Sequence, residues 1–214
     1  VAGPVMQHLT AAYGLTENFL IMAAAYAVVM CASALYLAPP APGELKEDLS
    51  AVMKEEISSN AGGAAQKQYT RREAIRTPEF IALWWIFFTN ITCGIGLLAV
   101  ASPMAQEVIH MSPAGAASLV GIIGIVNGLG RILWSTISDW IGRGAVYILF
   151  FTIEVVAFWQ LAGTADATAF AAWVLLIISC YGGGFSCMPA YLSDLFGVRH
   201  LSSIHGVVLT AWGM

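Results

Sequence analysis

Apolar stretches of membrane length, separated by short polar turns, constrain this chain more than any other feature. Residues 19–37, 79–106, 112–137, 145–163 and 170–192 are each almost free of charge, and about 20 apolar residues suffice for a helix to cross a bilayer. A backbone inside lipid must satisfy its own hydrogen bonds, which leaves helices as the economical solution. Only 10% of the 214 residues are charged and 58% are hydrophobic, against about 25% charged in a soluble domain. The expected fold class is therefore an all-α integral membrane bundle. Residues 1–12 read as the tail of a further helix broken at Gly3-Pro4, residues 13–18 as a polar turn, and Ser203 as the start of a last helix. That gives five complete spans and two partial ones. The chain starts at Val1 and stops at Met214 inside an apolar run, and is expected to be a piece of a longer protein.

One segment departs from this composition. Pro39, Pro40 and Pro42 end the first complete span, and residues 43–78 then carry six basic and six acidic side chains. Residues 44–57 place Leu45, Leu49, Val52, Met53 and Ile57 on one side of an amphipathic surface helix, and residues 58–68 read as a flexible link.

The basic residues orient the chain. Of nine Lys and Arg, six lie in the 43–78 loop, one is Arg143 and one is Arg199, all in alternate turns. The intervening turns, holding Glu17, Glu107 with His110, and Asp166, contain none. This positive-inside pattern assigns the basic turns to the cytoplasmic side of a plasma (inner) membrane. Arg131 is the exception, because it lies within the span 112–137. An arginine at a helix centre costs about 2.5 kcal/mol or more, so it needs a purpose.

Gly121, Gly124, Gly128, Arg131, Ser135 and Ser138 recur at steps of three and four and share a helix face. Small residues admit a neighbouring backbone, or leave room for an anion beside the guanidinium. Arg131 thus binds a ligand or pairs with an acid elsewhere in the bundle. Glu154, the acid well inside a complete span, is a proton-coupling group, the counter-ion of Arg131, or a neutral acid bonded to the next helix. Tyr181, Phe185 and Met188 line one side of residues 170–192 around Gly182-Gly183-Gly184 and before Pro189, as packing or as a gate. Asn90 and Asn127 are further polar positions within spans.

Other chemistries find little here. There is no H-E-x-x-H, G-x-S-x-G or G-x-x-x-x-G-K, so no enzyme is expected, and the scattered histidines suggest no metal or cofactor. Cys31, Cys93, Cys180 and Cys187 form no C-x-x-C pair and read as small apolar residues. No nucleic-acid partner is indicated, since the basic residues mark a membrane face.

Ser135 to Arg143 resembles the loop motif G-x-x-x-D-x-x-G-R of the major facilitator superfamily, with Asp139, Gly142 and Arg143 matching and Ser135 in place of the first glycine. Further stretches are similar to the oxalate/formate antiporter family within it: 87–96 (FFTNITCGIG), 101–107 (ASPMAQE), 181–185 (YGGGF), 189–192 (PAYL), 204–206 (IHG) and 209–213 (LTAWG). The resemblance runs essentially end to end. It implies a twelve-helix fold of which this chain covers the end of helix 5 to the start of helix 11. Residues 1–38 would close the N-terminal bundle, 39–78 form the cytoplasmic inter-bundle loop, and 79–214 form an incomplete C-terminal bundle. Gly3-Pro4 matches the glycine–proline of that family's helix 5 motif.

The resemblance further implies a secondary transporter of small organic anions such as formate, oxalate or lactate, working by alternating access. Arg131 corresponds to the family's substrate arginine on helix 8, and Tyr181 and Phe185 to its helix 10 aromatics. Its helix 11 lysine falls near Trp212, where no basic residue stands, which argues against tight oxalate binding and favours a monocarboxylate or another substrate. Asn127 and Asn90 join the expected substrate-binding set, and Asp139, Gly142 and Arg143 form a cytoplasmic gating motif. The resemblance puts Glu154, on helix 9, at the periphery. The expected partners are a small carboxylate, the lipid bilayer and a proton as coupling ion, with the full-length protein a monomer. An anion sensor without net transport and an inactive truncated product are the alternatives.

Overall fold

The computed structural model describes residues 2–37, 50 and 67–214. Among them every regular element is helical, as an all-α membrane protein requires. Apart from Ser50, the amphipathic helix expected over 44–57 lies outside the described residues, as does the 58–68 link up to residue 66. The chain divides into two compact units, 8–67 and 68–214 with 1–7.

Ahead of the basic segment, α1 (Ala2–Tyr13) and α2 (Leu15–Tyr36) meet at a single residue. Gly14 takes φ +87°, a left-handed conformation that glycine adopts without steric cost. The polar turn expected over 13–18 is thus only one residue long. Asn18 already lies in α2, buried, with its Nδ2 donating to Thr10 Oγ1 at 2.9 Å. Gly3-Pro4 does not break α1 either.

The larger unit contains α3 (Arg71–Ala74), α4 (Pro78–Pro103), α5 (Pro113–Ile141), α6 (Arg143–Gly163), α7 (Ala167–Phe196) and α8 (Leu201–Val208). A π-helical turn, Met104–Val108, extends α4, and a 3-10 turn, Leu209–Trp212, extends α8. Side-chain caps start these helices where the sequence supplies them. Thr77 and Ser112 each cap a helix whose first residue is proline, and the Asp166 carboxylate accepts the Ala169 N–H at 2.7 Å. With α2, the helices α4 to α7 are long and apolar enough to cross a membrane, and the chain is a multi-pass membrane protein.

α7 is the hub, packing against α4, α5, α6 and α8. Phe87, Phe150, Met188, Leu192 and Ile204 bury one end of the unit, and Leu119, Ile123, Phe170 and Ile177 bury the other. The close approach of α5 to α7 depends on glycine, though not on the stripe expected from the sequence. A Cβ on Gly130 would stand 2.6 Å from the Ser179 carbonyl, and one on Gly182 would collide with the Asn127 carbonyl. Gly124 and Gly128 instead face open space. The stripe therefore turns from buried Gly121 to exposed Gly124, Gly128 and Arg131.

The residues just before α4 are fastened to the far end of α7. The Tyr69 N–H donates to the Phe196 carbonyl at 3.0 Å, and Gln68 Oε1 accepts the Arg199 N–H at 3.1 Å. At the periphery, Trp140 and Trp159 are 81% and 82% exposed, one at the end of α5 and the other one turn before the end of α6.

Candidate functional site

Arg131 stands on the exposed side of α5, and its guanidinium is held by two neighbours. Its Nε donates to Asn127 Oδ1 at 3.3 Å, one turn back on the same helix. Its Cζ lies 5.6 Å from the centroid of the Phe185 ring, within the range of a cation–π contact. Both ion pairs among the described residues belong to Arg143, so no carboxylate there neutralises Arg131. A fixed, accessible cation with no acidic partner suits an anion better than helix-to-helix pairing.

The wall around it is aromatic. Phe185 meets Phe87 edge-on at 5.0 Å and Tyr181 at 5.3 Å. Tyr181 is close enough to Arg131 and Trp212 to interact with both. Trp212 is 59% exposed and lies in the 3-10 turn, which Trp84 secures by donating its indole N–H to Thr210 Oγ1 at 3.0 Å. Arg131, Asn127, Tyr181, Phe185 and Trp212 thus converge, although three separate elements carry them.

Asn90 and Glu154 lie elsewhere. Asn90 is fully buried, and its Nδ2 donates to Glu154 Oε1 at 3.2 Å. This places Asn90 apart from the exposed cluster. It also makes an α4 amide, rather than Arg131, the partner of Glu154.

Ser186 has no role assigned from sequence, yet it bears on the arginine. Its hydroxyl is 2.9 Å from the Arg131 carbonyl and 3.0 Å from that of Gly183. The backbone under the guanidinium is thereby tied to the glycine run of α7. Near the run, the buried Tyr147 hydroxyl donates to the Gly184 carbonyl at 2.7 Å. Downstream, Pro189 has no N–H for the Phe185 carbonyl.

At the end of the unit, Gly142 takes φ +93° and joins α5 to α6 without a further linking residue. That turn presents Arg143 to Asp139 at 2.6 Å, to Asp194 at 3.2 Å and to Ser138 Oγ at 2.6 Å. The Asp139–Arg143 pair is visible in the sequence at i, i+4. Asp194 is not, because its place beside Arg143 depends on how α7 packs.

Over residues 1–214 the chain matches the family described as Major Facilitator Superfamily. It is 29% identical over 162 residues to "Uncharacterized MFS-type transporter YhjX" of Escherichia coli (strain K12), covering 75% of this chain and 40% of that protein. It is 31% identical over 144 residues to the oxalate:formate antiporter of Oxalobacter formigenes, covering 65% of this chain and 34% of that protein. Apicoplast pyruvate carrier 2 of Toxoplasma gondii is 30% identical over 95 residues, 44% of this chain and 15% of that protein. The chain spans 40% or less of the length of each of these relatives.

Proposed function

The chain belongs to the Major Facilitator Superfamily, and from that premise we propose that the full-length protein is a secondary transporter of small organic anions, carboxylates in particular. The observation that carries this reading is Arg131: exposed, without an acidic partner among the described residues, and set over Phe185. The guanidinium binds the substrate carboxylate through charge-assisted hydrogen bonds, with Asn127 fixing its orientation. Tyr181, Phe185 and Trp212 form the apolar wall against which a short carbon chain rests. With Arg131 as the one cation among the described residues of this cluster, a monocarboxylate suits it better than a dianion. The names of two relatives, an oxalate:formate antiporter and a pyruvate carrier, fall in the same chemical class.

Transport then proceeds by alternate exposure of a midplane site as helical bundles rock. Asp139, Gly142 and Arg143 act at the cytoplasmic face of the plasma membrane, where Arg143 holds the ends of α5 and α7 to the start of α6. The decisive experiment reconstitutes the full-length protein in liposomes and measures uptake of labelled formate, lactate and oxalate. Saturable uptake that Arg131→Ala abolishes is expected; uptake unchanged in that variant would overturn the role of Arg131. Binding without counterflow would identify an anion sensor instead.

A further inference from the structure

Glu154 and Asn90 form a second polar site inside the unit, and the anion-binding role of Arg131 makes no use of it. Glu154 is 2% exposed and Asn90 is 0% exposed. The Asn90 amide donates to Glu154 Oε1 at 3.2 Å and toward the Cys180 carbonyl at 3.5 Å. Glu154 Oε2 and Asn90 Oδ1 are both buried without a hydrogen-bond partner. The site therefore has two unpartnered acceptors, Glu154 Oε2 and Asn90 Oδ1, beside the weakly donating Cys93 thiol that reaches Glu154.

A carboxylate here would be a bare charge among apolar helices, which is strongly disfavoured. Among the described residues the surroundings offer no cation. Cys93 of α4 and Cys180 of α7 are the titratable groups close to Glu154, and neither can carry positive charge. Tyr147, two turns back on α6, commits its hydroxyl to the Gly184 carbonyl. A single proton resolves both deficits. Carboxylate plus proton gives a neutral acid whose Oε2–H is a donor, and Asn90 Oδ1 is an acceptor in need of one.

We propose that Glu154 and Asn90 form a proton-binding site, occupied at neutral pH in this conformation and coupled to the anion at Arg131. The coupling half rests on the carboxylate-transport reading above; the proton site does not. Three consecutive residues of α7 connect the two. Gly184 abuts the Asn90 amide and accepts from Tyr147. Phe185 lies under Arg131 and against Phe87, one turn from Asn90. Ser186 reaches the Arg131 carbonyl. An anion that pulls on Arg131 displaces Phe185 and Ser186, and with them the backbone that seals the acid. By linkage, the proton must influence the anion to the same extent.

Infrared spectroscopy of the full-length protein in proteoliposomes tests both halves. A carboxylic-acid C=O band at neutral pH is expected, sensitive to D2O and to carbon-13 glutamate, absent in Glu154→Gln and displaced in Asn90→Leu. Should the variants fail to fold, titration of the glutamate-labelled band in the native protein still decides. Absence of a buried protonated glutamate at neutral pH overturns the proton site. Formate is expected to shift the band in the native protein and not in Arg131→Ala. A band indifferent to formate, in a protein that demonstrably carries formate, overturns the coupling alone. A band present in a protein that neither binds nor carries formate or oxalate supports the proton site and overturns the anion reading instead.

Discussion

Arg131 shows what a single side chain's surroundings can decide. Its charge and its fork of donors are separable properties, so Arg131→Lys should retain attraction but lose the stacked, oriented geometry over Phe185. Substrate affinity is expected to fall about tenfold, the effect of losing one hydrogen bond to a charged group; equilibrium binding of labelled formate measures it. Phe185→Leu removes only the ring face, worth about 0.5–2 kcal/mol, and should raise KM severalfold while the protein still melts cooperatively. Arg131 was legible in the sequence because a charge in a membrane-length span stands out against its neighbours. Asn90 was not, because sequence distinguishes a polar side chain within a span but not the side of the helix its partner approaches. Its distance from the exposed cluster follows from Glu154, 64 residues away, reaching it from α6.

Between helices, the glycines divide into two classes that the residue type alone does not reveal. Gly130 and Gly182 are contact points where α5 and α7 backbones nearly touch. Gly130→Val or Gly182→Val should force the helices apart, at about 1–3 kcal/mol each, read as a lower thermal midpoint in detergent. Gly124→Ala and Gly128→Ala meet nothing within 4 Å, and helix propensity should make them neutral or stabilising by up to about 1 kcal/mol. The three-and-four spacing correctly put Gly124, Gly128 and Arg131 together on α5. It could not say that this side is open while Gly130, outside the stripe, makes the contact. That choice depends on where α7 lies, which is tertiary information. The spans themselves were plain from hydropathy, and the Gly14 and Gly142 junctions are tighter than polar composition suggests because a single glycine of positive φ ends one helix and precedes the next.

At the scale of the whole protein, the end bearing Arg143 links three helices through one guanidinium. Asp139 and Asp194 are 59% and 56% exposed at their side chains, and exposed pairs contribute only about 0.2–1 kcal/mol each. Arg143→Ala should therefore leave the melting temperature nearly unchanged while altering the rate of substrate exchange, if this contact biases the equilibrium between access states. Comparing counterflow rate with thermal midpoint in the full-length protein separates the two effects. The chain spans 40% or less of each matched relative, so each such measurement belongs in the full-length protein.

Trp140 and Trp159 have a practical consequence of their own. Indole rings settle at the boundary between headgroups and hydrocarbon, and these two sit near opposite ends of a hairpin whose second helix is about 30 Å long by helical rise. Rings so placed are expected to set the vertical position of the unit in the bilayer. In a full-length variant whose other tryptophans are replaced, lipids brominated near the headgroup should quench both fluorophores and lipids brominated at the chain terminus neither, so their emission reports whether the hairpin stays level as substrate is exchanged.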